Sequence, residues 1–427
     1  MPHLSHRAAA LAAGAALAAS AVPAATARAA DGGDGGDHHV AGKRRVAVAM
    51  VDFTDSRLSA PEKFRKTLES RYFGKSGSLD AYYGAVSRGT ARFVPADQGN
   101  TVTGPLRLPM SVKGCDTAKM EKLTKEQLAE RGVGEDDYDH LSIVFPAKDA
   151  GCGWAGLAGV QGGTSWMPDD MSLDGLVHEI GHNLGFSHHM RLDCPASGKL
   201  EGCRETGDTS GKTPMGGGGA AAGPASPEMA HVGWFGKGQR VRASGSGTYA
   251  LRPLHGGGNG TRAVEVPLTG GDSLMLELRA ANPDKGLDKK VKGVFAYRVK
   301  DGDYTKSTLV DTGSGGSGDS SGTLGALRSG DAVTSGGTRV SVASVRDGSA
   351  SVRVSGAAAA QSAGSESAGA EGAHPQGGRA RLAETGGGSS RDGSVPLTAG
   401  GAVLLAAGAG SLAYGARRRR ARGAHRG

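Results

Sequence analysis

The stretch His178-Glu179-Ile180-Gly181-His182-Asn183-Leu184-Gly185-Phe186-Ser187-His188 constrains this chain more than any other. On an α-helix, residues four apart share a face one turn up, so His178 and His182 aim two imidazoles at one point. Leu173, Leu176, Val177, Ile180 and Leu184 share an apolar face, which predicts a helix over 171–184. Gly185 follows where a left-handed residue ends a helix without steric cost. The chain can then fold back and bring His188 to the same point. Three neutral imidazoles with one open position describe a catalytic zinc site rather than a structural one. Zinc lowers the pKa of bound water to roughly 7, and Glu179, projecting to the side, is placed to take its proton as general base. His189 adjoins His188; the spacing favours His188 as third ligand, and His189 reads as solvated or as a support behind the ligands.

The rest of the chain reads as an α/β domain over 44–240 and a small all-β, sandwich-like domain over 241–356. In the first, buried strands at 45–53, 90–94 and 138–146 alternate with helices at 61–72, 79–86 and 119–131. The Gly-rich stretch 153–167, with Trp154 and Trp166, reads as an edge strand and its loops. The tryptophans suit either that edge or the core. In the second domain, short alternating runs such as 273–278 and 294–299 are separated by Gly, Asp and Asn turns, with no catalytic constellation among them.

The formal net charge of +8 belongs to the ends of the chain. Arg7 and Arg28 lie at one end and Arg417, Arg418, Arg419, Arg420, Arg422 and Arg426 at the other, which accounts for the whole excess. No basic face with interleaved aromatics remains, and a nucleic-acid partner is excluded. A short basic start, an Ala/Leu run over 8–22 and Ala27-Arg28-Ala29 read as a secretory signal peptide over 1–29. A polar, Gly/Asp-rich segment over 30–43 follows and reads as flexible. Export permits disulfides. The four cysteines, Cys115, Cys152, Cys194 and Cys203, allow three pairings, of which Cys194–Cys203 with Cys115–Cys152 closes the most economical loops.

At the histidine run the chain resembles the metzincin zinc endopeptidases, whose signature is H-E-x-x-H-x-x-G-x-x-H. It looks most like the gametolysin family, through H-E-I-G-H-N-L-G and a G-D…M-G turn. The resemblance covers roughly 44–240. It implies a twisted sheet with an active-site helix, Zn2+ on His178, His182 and His188, and a methionine turn at Met215 that packs beneath the metal. It also implies an edge strand that pairs with an extended peptide substrate. No tyrosine follows Met215, so a tyrosine ligand is not supported, and glycines 216–219 suggest a loose loop.

Residues 357–381 are an Ala/Gly/Ser linker. Leu382-Ala383-Glu384-Thr385-Gly386 resembles a sortase signal of the L-A-x-T-G type. An uncharged run of about 22 residues over 395–416 and the arginine cluster follow it. The order implies a transient membrane stop, joining of Thr385 to peptidoglycan by a sortase, and a wall-anchored protein on the outside of a Gram-positive bacterium; a plain C-terminal membrane anchor is the alternative. The expected function is a metalloendopeptidase acting on protein or peptide. An adhesin with a vestigial protease domain and a zinc amidase acting on peptidoglycan peptides are the rivals.

Overall fold

The apolar run at 45–53 forms the strand Gly42–Asp52 in a computed structural model. The structure describes residues 30–31, 39–356 and 382–385, apart from positions 98, 148–149, 283, 317–321 and 347. Side chains of this strand alternate between two cores, as the pleat requires. Val46, Val48 and Met50 face one core, and Ala47, Ala49 and Val51 the other. Burial on both faces is why the run is apolar without a break. Ala91–Pro95, Thr103–Arg107 and His140–Phe145 pair with it in parallel. Thr164–Pro168 continues the sheet in parallel, and Gly156–Gly159 and then Leu382–Thr385 add antiparallel strands. The Gly-rich stretch is therefore a two-stranded hairpin. Trp166 is buried in the second core, and Trp154 leans edge-on against Phe145.

Three helices, Pro61–Phe73, Leu79–Val86 and Leu173–Asn183, cover the first core through Leu68, Tyr72, Tyr83, Leu176, Val177 and Ile180. Thr117–Ala129 covers the second with Met120 and Leu128. Of the start expected to be flexible, Ala30–Asp31 pairs with Arg240–Arg242 and residues 39–43 are packed against the domain. Val40 is buried, its amide donates to the Val232 carbonyl, and its own carbonyl accepts from the Trp234 indole.

After residue 240 every helix or strand among the described residues is a strand. Gly247–Leu251, Ser349–Ser355, Thr338–Arg346 and Ala332–Ser335 form a four-stranded sheet. It packs through Leu251, Val340, Val342 and Val352 onto Val264, Leu274, Leu276 and Val294 of an eight-stranded sheet. That larger sheet contains Met190–Asp193 and Arg204–Thr209, which precede residue 240. Met190–Asp193 runs parallel to Asp303–Asp311. The periodicity did not reveal either early strand, because both are short and polar. The disulfides are Cys115–Cys152 and Cys194–Cys203, the second joining the ends of this early hairpin. The described residues are thus mixed α/β, rich in sheet with few helices, and lie in one compact unit. None of their helices is long and apolar enough to cross a membrane. The signal peptide, the linker 357–381, Gly386 and the run 395–416 lie outside the described residues.

Candidate metal centre

The helix carrying the site begins at Leu173, where the Ser172 hydroxyl accepts from the Gly175 amide. It ends in a double bond pattern: Gly185 N–H to the His182 carbonyl and Phe186 N–H to the Gly181 carbonyl. Gly185 takes φ 95°, where an L side chain is strained. The resulting reversal delivers His188. The ring centroids of His178 and His182 stand 4.8 Å apart, and His188 lies 5.2 and 5.0 Å from them. The potential ligand atoms of all three lie within 4.8 Å of one another.

The outer nitrogens fix the tautomers. His178 Nδ1–H donates to the Pro214 carbonyl at 2.9 Å, and His182 Nδ1–H donates to the Phe186 carbonyl at 2.7 Å. Each ring then turns its Nε2 lone pair inward, as a metal-ligating histidine does. Those two Nε2 atoms are buried and accept no hydrogen bond. An orphaned buried acceptor costs about 1–3 kcal/mol, which a metal ion at this point would offset. Burial also pushes the His178 pKa down to about 4 and that of His182 to about 3, so both rings are neutral at physiological pH. A soft-to-borderline divalent cation such as Zn2+ fits three neutral imidazoles. Alanine at His178, His182 or His188 is expected to lower bound zinc, measured by mass spectrometry of the purified protein, whereas His189→Ala is expected to leave it unchanged. Zinc lost only with His189 would show a different ligand set.

His189 is neither solvated nor part of the cluster. It is buried with its ring edge-on to Tyr297, 5.1 Å between centroids, and neither ring nitrogen has a hydrogen-bond partner. Desolvation pushes its pKa down to about 3. Its backbone N–H donates to the Met215 carbonyl, so it ties the His188 segment to the methionine turn.

Glu179 is fully buried beside His178. A Cβ at Gly156 would stand 2.8 Å from Glu179 Oε1 and 2.9 Å from its Cγ. Only glycine leaves room for the carboxylate against the strand Gly156–Gly159. The sequence reading missed Gly156, since nothing in its own neighbourhood marks it. Met215 lies in the turn Pro214–Gly216, and a Cβ at Gly181 would meet its Sδ at 2.6 Å. The sulfur thus packs under the helix between the two ligand turns. The following glycines are tied down. Gly218 N–H donates to the Thr213 carbonyl, and Ala220 N–H donates to Asp174 Oδ1 at 2.6 Å. The expected loose loop is a hydrogen-bonded one.

Beneath the turn lies a buried charge network that the sequence reading gave no role. Arg279 pairs with Glu277 and Asp288, all three with completely buried side chains. Its Nη2 also donates to the carbonyls of Lys212 and Gly223, on either side of Met215. Glu277 accepts from the Ser226 amide and the Tyr297 hydroxyl, and Asp288 from His255 and the Gly223 amide. Burial works against charge on Arg279 and Asp288, yet their mutual attraction holds the guanidinium pKa up and the carboxyl pKa down. Glu277 and Arg279 are charges in a fully buried, mostly apolar strand, Ser273–Arg279, which is the signal that could have exposed them.

Glu228 completes the support. It accepts from the Thr213 hydroxyl and the Ala225 amide. Burial, opposed by these bonds, raises its pKa from 4.5 to about 8. The folded state therefore holds an extra proton between those two values, and stability falls as pH rises through them. Each unit of displaced titration is worth about 1.4 kcal/mol. Glu228→Gln, which never ionises, is expected to flatten that decline. Its Tm at pH 8 should exceed that of the unchanged protein while the two converge near pH 4.5. Parallel Tm–pH curves would contradict this.

No protein-family model matches the chain, and no curated protein matches it. Among solved structures, similar chains include two crystal forms of wild-type OgpA from Akkermansia muciniphila. One is 13% identical, covering 58% of this chain and 76% of that chain, with a TM-score of 0.28. The other is 11% identical, covering 64% and 89%, with a TM-score of 0.30. Likeness of this size bears on neither fold nor activity.

Proposed function

We propose that the chain is a secreted zinc-dependent endopeptidase of metzincin type, similar to the gametolysin family. The observation that carries the reading is the pair of buried, unpartnered Nε2 atoms on His178 and His182, facing His188. Zinc, when bound there, supplies Lewis acidity toward a scissile carbonyl and an attacking water. Glu179, in its slot against Gly156, removes the proton from that water and passes it to the leaving amine. The strand Gly156–Gly159 offers main-chain groups along which an extended peptide can lie beside Glu179. Met215 and the Arg279 network keep the ligand-bearing helix and the turn in fixed relation.

An intact base speaks against a vestigial, purely adhesive domain, since a metal scaffold alone has no use for Glu179. Wall attachment through Leu382–Gly386, by a sortase acting on a chain paused at 395–416, is the location we propose for the enzyme. The test is incubation of the purified secreted protein with a peptide library, with and without chelator. Cleavage that chelator abolishes and zinc restores is expected. Hydrolysis confined to peptidoglycan peptides would favour the amidase, and none at all by the zinc-loaded protein would overturn both enzymatic readings.

A further inference from the structure

The strand Gly156–Gly159 would be the edge of its sheet but for one partner. Leu382–Thr385 runs antiparallel along it, with Leu382 opposite Gly159, Ala383 opposite Ala158, Glu384 opposite Leu157 and Thr385 opposite Gly156. Its other side is held by Thr164–Pro168, so one row of main-chain groups remains for a further strand. The position on that row is significant. Asn183, at the end of the site helix, donates to the Gly159 carbonyl, and Glu179 rests against Gly156 at the other end. Thr385 is therefore paired with the residue on which the Glu179 carboxylate lies.

We propose that Leu382–Thr385 is a built-in occupant of the peptide-docking edge, so that this segment and a substrate compete for the same main-chain groups. The proposal rests on the peptidase reading above for its consequence, though not for the docking itself. A strand edge forms one ladder at a time, and an extended peptide laid beside Glu179 must take the groups that residues 382–385 now hold. The connection over 357–381 has 25 residues, and fully extended it could reach roughly 80 Å, so pairing within one chain is within reach. Tethering within one chain gives a local concentration in the millimolar range. A four-residue strand binds weakly, so such a tether holds the edge mostly, not completely, occupied. The same residues form the L-A-x-T-G match. They cannot pair with Gly156–Gly159 and lie extended in a second enzyme's cleft together, so their capture by that enzyme opens the edge. Anchoring and peptide hydrolysis are thereby coupled through one segment.

The test uses the full chain and a variant carrying Ala383→Pro and Glu384→Pro. Proline removes ladder donors and is not accepted in a paired strand, and neither residue belongs to the proposed catalytic machinery. Hydrogen–deuterium exchange of the segment 156–159 reads the docking directly. Exchange there is expected to quicken in the variant, while exchange in Leu173–Asn183 stays the same. With a long peptide substrate, KM is expected to fall about threefold to tenfold at constant kcat, as removal of a tethered competitor requires. A synthetic peptide spanning 380–386 should inhibit the variant competitively at millimolar concentration and restore slow exchange. Equal exchange over 156–159 in both proteins overturns the docking. A difference in exchange with no hydrolysis by either protein supports the docking and overturns the peptidase reading instead.

Discussion

Glu179→Gln is expected to retain zinc and to lose peptidase activity by about 100- to 10,000-fold, the usual contribution of a positioned general base. The substitution keeps the size of the side chain, which matters because the slot beside Gly156 has no spare room. It leaves the His178 and His182 imidazoles in place, since their outer nitrogens are held by the Pro214 and Phe186 carbonyls and not by Glu179. What it removes is the capacity to accept a proton. Zinc content by mass spectrometry and initial rates on one cleaved peptide measure the two effects separately. Zinc retained with hydrolysis near the unchanged rate would end the proposed mechanism. Zinc lost along with activity would mean that the carboxylate supports the metal.

Arg279→Leu is expected to be the most damaging substitution far from the histidines. It leaves Glu277 and Asp288 buried without their cation, and breaking a buried pair in this way costs about 3–5 kcal/mol. That is a large part of the roughly 5–15 kcal/mol by which a domain is stable. It also strips a donor from the Lys212 and Gly223 carbonyls that bracket Met215. Chemical denaturation should show the lower midpoint. Arg279→Lys should recover only part of it, because an ammonium cannot span two carboxylates and two carbonyls with a planar fork. A stability within about 1 kcal/mol of the unchanged protein would show that the network is not needed. The strand carrying Arg279 lies well after the histidine run, so this result would also decide whether the β-rich part is required for a working site.

Much of the candidate site was legible because its information is local. The helical spacing of His178 and His182, the glycine at 185 and the return to His188 each depend on a few neighbouring bonds. The long apolar strands were legible for a similar reason, since burial on two faces leaves no polar gap. Short polar strands such as Arg204–Thr209 were not, because a strand of exposed residues carries no period and exists only by virtue of its partner. Spacing favoured His188 over His189, but the sequence did not say where His189 goes. Its burial against Tyr297, more than a hundred positions away, is decided by tertiary packing.

By itself, then, the sequence determined the helix that carries His178, Glu179 and His182, and its termination at Gly185, both set by short-range geometry, whereas it left three disulfide pairings open. Tertiary structure alone decided that Glu179 needs a glycine at 156, that the methionine turn is held by Arg279, Glu228 and Asp288, and that Leu382–Thr385 lies along Gly156–Gly159. Those contacts join residues far apart in the chain. Their energy comes from burial and from satisfying charges and main-chain groups that meet only once the sheets have formed.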